Sequence, residues 1–282
     1  MKLRNLFEKF LSDLDGIENA ENELRFIFKK ALSINDTDFI LMGMNEISED
    51  MADKIGAMVS ERLTGKPIQY ILGEWDFCGL TFKVDENVLI PRPETEILCN
   101  YVLDYIKDFK DTPYVGDLCS GSGCIGLTIK HKRPDAYVNL FEKSISALGC
   151  INENAKALCP NQFLAVTIGD IFQIDSYGTL PEFDVLVSNP PYIKSSEIPN
   201  LQKEVQFEPK MALDGGEDGM IFYRFIIENW VRFLKKDGMF AFECGEGQAD
   251  EIKELLEKND FRTEVIKDYR DVDRFVIGKR YV

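Results

Sequence analysis

Apolar residues in the first part of the chain recur at the spacing of an α-helix. The first run consists of Leu6, Phe7, Phe10, Leu11 and Leu14. The same spacing continues over 24–32 and 47–63, and Gly16 and the Asn35–Asp36 pair stand where helices should end. This pattern predicts a helical domain over residues 1–66. Such a domain either only stabilises the protein or recognises a protein substrate, and we expect substrate recognition.

The pattern changes character over residues 67–90. Ile68–Leu72 and Leu80–Val84 alternate apolar and polar residues around Cys78–Gly79, which predicts a β-hairpin linker. Two prolines then stiffen the segment Leu89–Glu96, and a helix is predicted from Glu94 or Thr95 to about Phe109. We therefore predict a domain boundary near residue 90, with a second domain over residues 91–282.

Strands and helices alternate in the rest of the chain. The predicted strands cover 114–118, 136–141, 163–168, 183–188, 239–243, 262–267 and 274–278, and the predicted helices 125–131, 147–158, 221–234 and 250–258. Such alternation predicts an α/β domain with a mostly parallel sheet and helices on both faces. The last two strands follow each other directly, so one strand is expected to be antiparallel.

Composition narrows the possible partners. The 282 residues include 33 basic and 49 acidic side chains, a net charge of −16 with a pI near 4.6. A chain that binds nucleic acid through phosphates normally carries a basic face, and an anionic membrane surface would also repel this charge. The sequence contains no stretch of 18 apolar residues, the pattern that would predict a membrane span. We therefore expect neither stable nucleic-acid binding nor membrane attachment.

The cysteines indicate a reducing compartment. Seven are scattered without a C-x-x-C pair, and His131 is the only histidine of the sequence. These numbers argue against a zinc site and against a disulfide framework. We expect a cytoplasmic protein without a metal.

A glycine-rich segment joins the first strand of the α/β domain to its helix. It runs from Asp117 to Gly126 and contains G-x-G-x-x-G, and Glu142 ends the next strand. This pattern is the dinucleotide fingerprint, in which the acidic residue accepts hydrogen bonds from ribose hydroxyls. However, Asp117 would repel a pyrophosphate and would suit the ammonium group of S-adenosylmethionine, and no second nucleotide-binding half is evident. A tight turn with incidental glycines is the alternative.

A second motif, Asn189-Pro190-Pro191-Tyr192, follows the fourth predicted strand. Ligands of open α/β sheets bind beyond the carboxyl ends of the strands, so this motif should face the same crevice as the glycine-rich segment. The Asn189 oxygen and the Pro190 carbonyl can accept hydrogen bonds from a planar NH₂ group, and Tyr192 can pack against it. The alternative is a proline-rich structural turn.

A weaker signal follows the third predicted strand. Asp170 could accept a hydrogen bond from an adenine amino group while Ile171 packs against the ring. A plain helix N-cap explains the same residues equally well.

With these residues in view, the sequence resembles the release-factor glutamine methyltransferases, the HemK or PrmC family. The shared segments are Pro67–Glu74, Leu89–Glu96, Asp117–Gly123, Asn189–Tyr192, Glu208-Pro209, Ala212–Gly216 and Asp273-Arg274. The resemblance implies transfer of a methyl group from S-adenosylmethionine to the glutamine amide of the Gly-Gly-Gln loop in class 1 release factors. It also implies a helical amino-terminal domain, a hairpin, and a class I, Rossmann-like methyltransferase domain with a seven-stranded sheet.

The resemblance also assigns residues. The cofactor-binding set is Asp117, Cys119, Ser120, Gly121, Ser122, Gly123, Glu142, Asp170, Ile171 and Asn189. Catalysis is assigned to Asn189, Pro190 and Tyr192, and substrate binding to these together with Pro191 and Arg92. Two positions depart from the family pattern, since Cys119 and Asp271 stand where glycine is usual.

Two other functions remain open. An adenine-amino nucleic-acid methyltransferase could use the same Asn189–Tyr192 motif on a flipped base, although such enzymes need a basic cleft. A non-catalytic cofactor-binding or assembly factor is the other alternative. We expect a monomeric enzyme that acts on release factors.

Overall fold

The chain divides into two units, here in a computed structural model that describes residues 2–41, 43 and 45–280. One unit comprises Met1–Glu74 with Gln202–Phe207, and the other Trp75–Leu201 with Glu208–Val282. The division falls at Glu74, earlier than the boundary predicted near residue 90. The reason is that Phe77 and Phe82 of the hairpin are fully buried in the core of the second unit.

The first unit is helical. Its helices are α1 (Leu3–Asp13), α2 (Ala20–Leu32), α3 (Asp36–Leu41), α4 (Glu49–Leu63) and α5 (Ile68–Leu72). Leu24, Ile27 and Phe28 of α2 are fully buried and form the centre of its core. Burial of this apolar stripe explains the helical spacing seen in the sequence.

A buried arginine holds the segment Gln202–Phe207 in the helical unit. Arg62 of α4 is only 3% exposed, and its Nε donates to Glu23 of α2 over 2.6 Å. Its Nη2 donates to Glu204. A buried cation needs such partners, so Glu23 and Glu204 together satisfy Arg62.

The strand predicted at Ile68–Leu72 is wrong, because these residues form the short helix α5. Pro67 precedes the helix, and Gly73 ends it in the left-handed conformation at φ 71°. Both residues are typical of helix ends. Five alternating residues fit either structure, and the flanking proline and glycine favour the helix.

The hairpin itself is shorter than the predicted 67–90. It pairs β1 (Glu74–Phe77) with β2 (Leu80–Lys83). Cys78 and Gly79 connect them at φ 52° and φ 77°. Two positive φ values match the twist of a two-residue hairpin turn.

A seven-stranded sheet organises the second unit. Its strands are β3 (Tyr114–Leu118), β4 (Tyr137–Glu142), β5 (Ala165–Ile168), β6 (Phe183–Ser188), β7 (Leu234–Glu243), β8 (Phe261–Lys267) and β9 (Asp273–Arg280). The order is β5-β4-β3-β6-β7-β9-β8, and β9 runs antiparallel to both of its neighbours, β7 and β8, whereas the other pairs are parallel. The predicted fold class, including the single antiparallel strand, is confirmed.

Helices cover both faces of the sheet. The helices α6 (Thr95–Ile106), α7 (Cys124–Lys132) and α8 (Leu148–Leu158) contribute to one apolar cluster. The helices α9 (Ile221–Asn229) and α10 (Ala249–Lys258) contribute to the other. Successive strand residues alternate between the clusters, as Leu186 does with Val185 and Val187. Burial on both faces explains the continuous apolar runs of these strands.

The strand order reverses at β3. The chain moves outward from β3 to β4 and β5, and then returns to place β6 on the other side of β3. Crevices that bind ligands open at such a reversal, beyond the carboxyl ends of the strands. The sequence motifs that follow β3, β4, β5 and β6 therefore meet at one edge of the sheet.

None of the helices in the described part of the chain is both long and apolar enough to cross a membrane. All seven cysteines are unpaired.

Candidate functional site

A cavity of about 260 Å³ lies at this edge of the sheet. The predicted site residues that line it are Cys119, Gly121, Glu142, Asp170, Ile171, Asn189 and Pro191. They come from the ends of four strands that are distant in sequence. The structure thus brings both predicted motifs and the weaker Asp170 signal into a single cavity.

The glycine-rich turn exposes backbone to this cavity. Gly121 has a φ of 57°, and a Cβ added there would meet no atom within 4 Å. A ligand can therefore approach the backbone at Gly121. Gly126 serves packing instead, since a Cβ there would collide with Leu140 of β4. Gly121 thus leaves the backbone open to the cavity, whereas Gly126 allows α7 to pack closely against the sheet.

Asp117 does not line the cavity. Its Oδ2 accepts from the Gly126 N–H over 2.9 Å, which closes the turn onto α7. Its Oδ1 is buried and has no hydrogen-bond partner among the described residues. Burial, and secondarily the nearby Glu142 carboxylate, raises the pKa of Asp117 to about 7. Ser120, Ser122 and Gly123 also lie outside the cavity lining, so only part of the predicted cofactor set faces it.

Glu142 and Asp170 place two carboxylates at the ends of neighbouring strands. Glu142 accepts from the N–H groups of Gly121 and Ser144, each over 2.7 Å, and burial raises its pKa. Asp170 accepts from the Phe172 N–H over 3.1 Å and pairs with Lys143 at 2.7 Å. Glu142 thereby fixes the glycine-rich turn against β4, while each carboxylate still borders the cavity.

The Asn189–Tyr192 motif presents two of its four residues to the cavity. Asn189 and Pro191 line it, whereas Pro190 is buried and Tyr192 packs against the core under α9 and α10. The Gln248 side chain donates to the Tyr192 carbonyl over 3.0 Å. Burial raises the pKa of Tyr192 to about 12, so its hydroxyl stays neutral.

The segment Ala212–Gly216 is hydrogen-bonded to the backbone next to this motif. Ile193 donates to the Leu213 carbonyl over 2.9 Å, and Gly215 donates back to the Ile193 carbonyl over 2.8 Å. A Cβ at Gly215 would lie 2.7 Å from the Cα of Tyr192. Only glycine allows the two backbones to approach this closely.

The Asn189 amide makes a hydrogen bond into the core. Its Nδ2 donates to the Thr95 hydroxyl over 3.3 Å, and Thr95 donates to Glu243 over 2.6 Å. Thr95 and Glu243 are each 2% exposed. Burial raises the pKa of Glu243 to about 7, against the opposing effect of the Thr95 hydrogen bond and of Arg274.

Arg92 is not among the residues that line the cavity. Its guanidinium pairs with Glu208, a buried carboxylate that also accepts from the Ile90 N–H over 3.1 Å. The pair joins two of the segments that carry the family resemblance, and the substrate-binding role predicted for Arg92 stays a prediction. His131, on α7, is exposed and contacts the Leu158 carbonyl.

Sequence reasoning did not assign roles to three residues that shape the site. Thr95 and Glu243 support Asn189, and Asn154 of α8 donates to the carbonyls of Ser122 and Lys83. Thr95 lies in the family segment Leu89–Glu96, and this position could have indicated a functional role from the sequence. Glu243 and Asn154 stand out only once their burial is known.

Fold and site together define a Rossmann-like methyltransferase. Residues 2–73 match the family described as PrmC N-terminal domain, and residues 99–229 match the methyltransferase small domain. In the described part of the chain, no group of three or more His, Cys, Asp or Glu residues is placed to hold a metal ion.

The chain belongs to the release factor glutamine methyltransferase family. It is 40% identical to the release factor glutamine methyltransferase of Thermodesulfovibrio yellowstonii over 94% of this chain and 96% of the relative. It is 36% identical to that of Aquifex aeolicus over 94% of each chain.

Among solved structures, the hMettl16 catalytic domain, solved in complex with the MAT2A 3'UTR hairpin 1, is similar with a TM-score of 0.59. The alignment covers 98% of this chain and 91% of that chain at 13% identity, and shows a common fold.

Proposed function

We propose that this protein transfers a methyl group from S-adenosylmethionine to the side-chain amide nitrogen of glutamine in the Gly-Gly-Gln motif of class 1 release factors. The observation that carries the proposal is the Asn189 amide. Its nitrogen is engaged by Thr95, so its oxygen is left to accept from a substrate NH₂ group in the cavity. Family membership supports release factors as the protein substrates.

The cavity fits the methyl donor. Gly121 offers open backbone, and the carboxylates of Glu142 and Asp170 can accept hydrogen bonds from ribose and adenine. Ile171 and Phe172 supply apolar surface for a planar base. The bound donor supplies an electrophilic methyl group on a sulfonium centre. Asp117 lies behind the turn and supports it without facing the donor.

The protein residues orient a weak nucleophile. An amide nitrogen has a delocalised lone pair, so hydrogen-bond acceptors on both of its N–H groups help to direct that lone pair toward the methyl group. The Asn189 oxygen, at a residue that lines the cavity, is suited to this, and we propose the Pro190 carbonyl as the second acceptor although the Pro190 ring is buried. Among the described residues, no histidine lines the cavity. Positioning by hydrogen bonds is the contribution that we assign to Asn189 and Pro190.

Charge and thiols support the remaining assignments. A net charge of −16 disfavours nucleic acid as the substrate. Seven unpaired cysteines fit a reducing cytoplasm. We assign recognition of the whole release factor to the helical unit, and we expect the enzyme to be a monomer.

Labelled S-adenosylmethionine tests the proposal directly. The enzyme is incubated with release factor and DNA together, and label is expected on the release factor alone. Label on DNA would instead support the adenine-amino alternative.

Asn189→Ala tests the mechanism. Loss of an acceptor that strengthens in the transition state should slow single-turnover methyl transfer by about 10²–10³. Calorimetry should show donor affinity largely retained. Transfer at the wild-type rate would mean that the motif is only a structural turn.

A further inference from the structure

The Asn189 side chain is the outer end of a hydrogen-bonded row that leads into the core. The row continues through Thr95, the first residue of α6, to Glu243 at the end of β7. We infer that Thr95 and Glu243 are positioning residues that fix which end of the Asn189 amide faces the cavity. This inference rests on the proposed function and adds two residues to it.

The direction of each hydrogen bond determines the orientation of the Asn189 amide. When Glu243 is ionised, its carboxylate can only accept, so the single proton of the Thr95 hydroxyl points to Glu243. The hydroxyl oxygen can then only accept from Asn189. An amide has one donating and one accepting end, and here its NH₂ must face Thr95. The Asn189 oxygen is thereby directed away from Thr95. Because Asn189 lines the cavity, this oxygen is available to a substrate there.

Burial makes this arrangement selective. With Thr95 and Glu243 each 2% exposed, water cannot readily replace either partner. An Asn189 amide turned the other way would place its oxygen against the Thr95 oxygen. Two acceptors would then face each other without a proton between them, which is costly in a buried site.

The row also responds to protonation. A protonated Glu243 can donate to Thr95, whose own proton is then free to bond the Asn189 oxygen. The amide would turn and present its NH₂ to the substrate, which is the wrong polarity. The ionisable groups that act on Glu243 or that it acts on are Arg274 of β9, Arg92 and Glu94 before α6, Tyr192 after β6, Cys124 of α7, Tyr223 of α9 and the adjacent Cys244.

Thr95→Val tests the inference, because valine keeps the shape and removes the hydroxyl. Single-turnover methyl transfer at saturating release factor should slow roughly fivefold, the change that one net hydrogen bond corresponds to. Donor affinity by calorimetry should not change, and Thr95→Ser should restore the rate. Thr128→Val is the matched control, since Thr128 is fully buried on α7 and its hydroxyl has no partner among the described residues.

A double-mutant cycle separates positioning from a general structural effect. If Thr95 acts through Asn189, adding Thr95→Val to Asn189→Ala should cause no further loss. Additive losses would overturn the inference, as would a Thr95→Val rate equal to wild type. A wild-type enzyme that does not methylate release factor would instead refute the proposed function.

The pH profile provides a second readout in case Thr95→Val fails to fold by circular dichroism. Wild-type turnover should fall as the pH drops through about 7, the pKa of Glu243. Glu243→Gln cannot titrate and should lose this acid limb. An acid limb that is the same in Glu243→Gln and wild type would overturn the inference.

Discussion

Cys119 and Asp271 show why the family pattern favours glycine at their positions. Both residues have left-handed backbone, at φ 64° and φ 65°. Glycine adopts this conformation without a steric penalty, whereas a Cβ costs roughly 1 kcal/mol. Aspartate tolerates the conformation better than most residues. The backbone strain is therefore greater at Cys119, which borders the cavity.

Asp117 should make the stability of the protein depend on pH. Its pKa is raised to about 7 in the folded state, so between pH 4 and 7 the folded protein binds a proton that the unfolded chain does not. The free energy of unfolding should therefore fall as the pH rises through this window, by up to about 1.4 kcal/mol per pH unit from this one group. Asp117→Asn keeps an acceptor for Gly126 and cannot ionise.

Urea unfolding of wild type and Asp117→Asn at pH 5 and pH 8 measures the effect. The decrease in unfolding free energy between the two pH values should be smaller for Asp117→Asn. The raised pKa of Glu243 contributes to the decrease in both proteins and cancels in the comparison. An identical decrease would show that Asp117 is not a source of the dependence.

The position of a site residue could be predicted from the sequence where the end of a strand determines it. It could not be predicted where the side chain can turn toward partners other than the cavity. Glu142, Asp170 and Asn189 lie at or within two residues of the ends of their strands, so topology alone brings them to the cavity. Asp117 and Arg92 instead turn toward Gly126 and Glu208. Sequence spacing does not reveal these choices, because the competing partners come from elsewhere in the fold.

At the level of elements, Gly215 is the position where two loops depend on each other. Gly215→Ala would place a Cβ 2.7 Å from the Tyr192 Cα and 2.8 Å from the Pro191 carbonyl. The backbone of the Asn189–Tyr192 motif must shift to relieve this contact. Because small displacements of orienting groups are costly, turnover should fall by roughly 10- to 100-fold.

Gly149→Ala is the matched control for this change. Gly149 lies on α8, and a Cβ there would meet no atom within 4 Å. Its turnover should equal that of wild type, while thermal unfolding shows whether both variants fold. Wild-type turnover in a folded Gly215→Ala would show that the close approach does not matter for catalysis.

Most elements were predictable because their apolar spacing reflects burial on the sheet faces or on a helix stripe. The strands β3 and β6 match their predicted ranges, 114–118 and 183–188. The run 68–72 misled because it is too short for its period to decide between strand and helix. The flanking Pro67 and Gly73 favour the helix, and its packing against α2 is a further contact that no local pattern encodes.

At the level of the whole molecule, the helical unit should govern the choice of protein substrate. A chain without residues 1–66 should bind S-adenosylmethionine but methylate whole release factor poorly, because the cavity lining belongs entirely to the other unit. A short peptide that contains Gly-Gly-Gln should be methylated equally well by both proteins. Calorimetry and circular dichroism establish that the truncated chain is folded.

The rates on the two substrates distinguish substrate selection from stabilisation. A loss on release factor that exceeds the loss on peptide supports substrate selection by the helices. Full activity of the folded truncated chain on release factor would reduce the helices to a stabilising role.

The pairing of Arg62 with Glu204 has a consequence for synthesis on the ribosome. The two residues are 142 positions apart, so the arginine emerges long before one of its two carboxylates exists. At about 5–20 residues per second, the delay is on the order of ten seconds. During this time, of the two carboxylates that pair with Arg62, only Glu23 has been made. The first unit to be translated is therefore completed only after most of the second has been made.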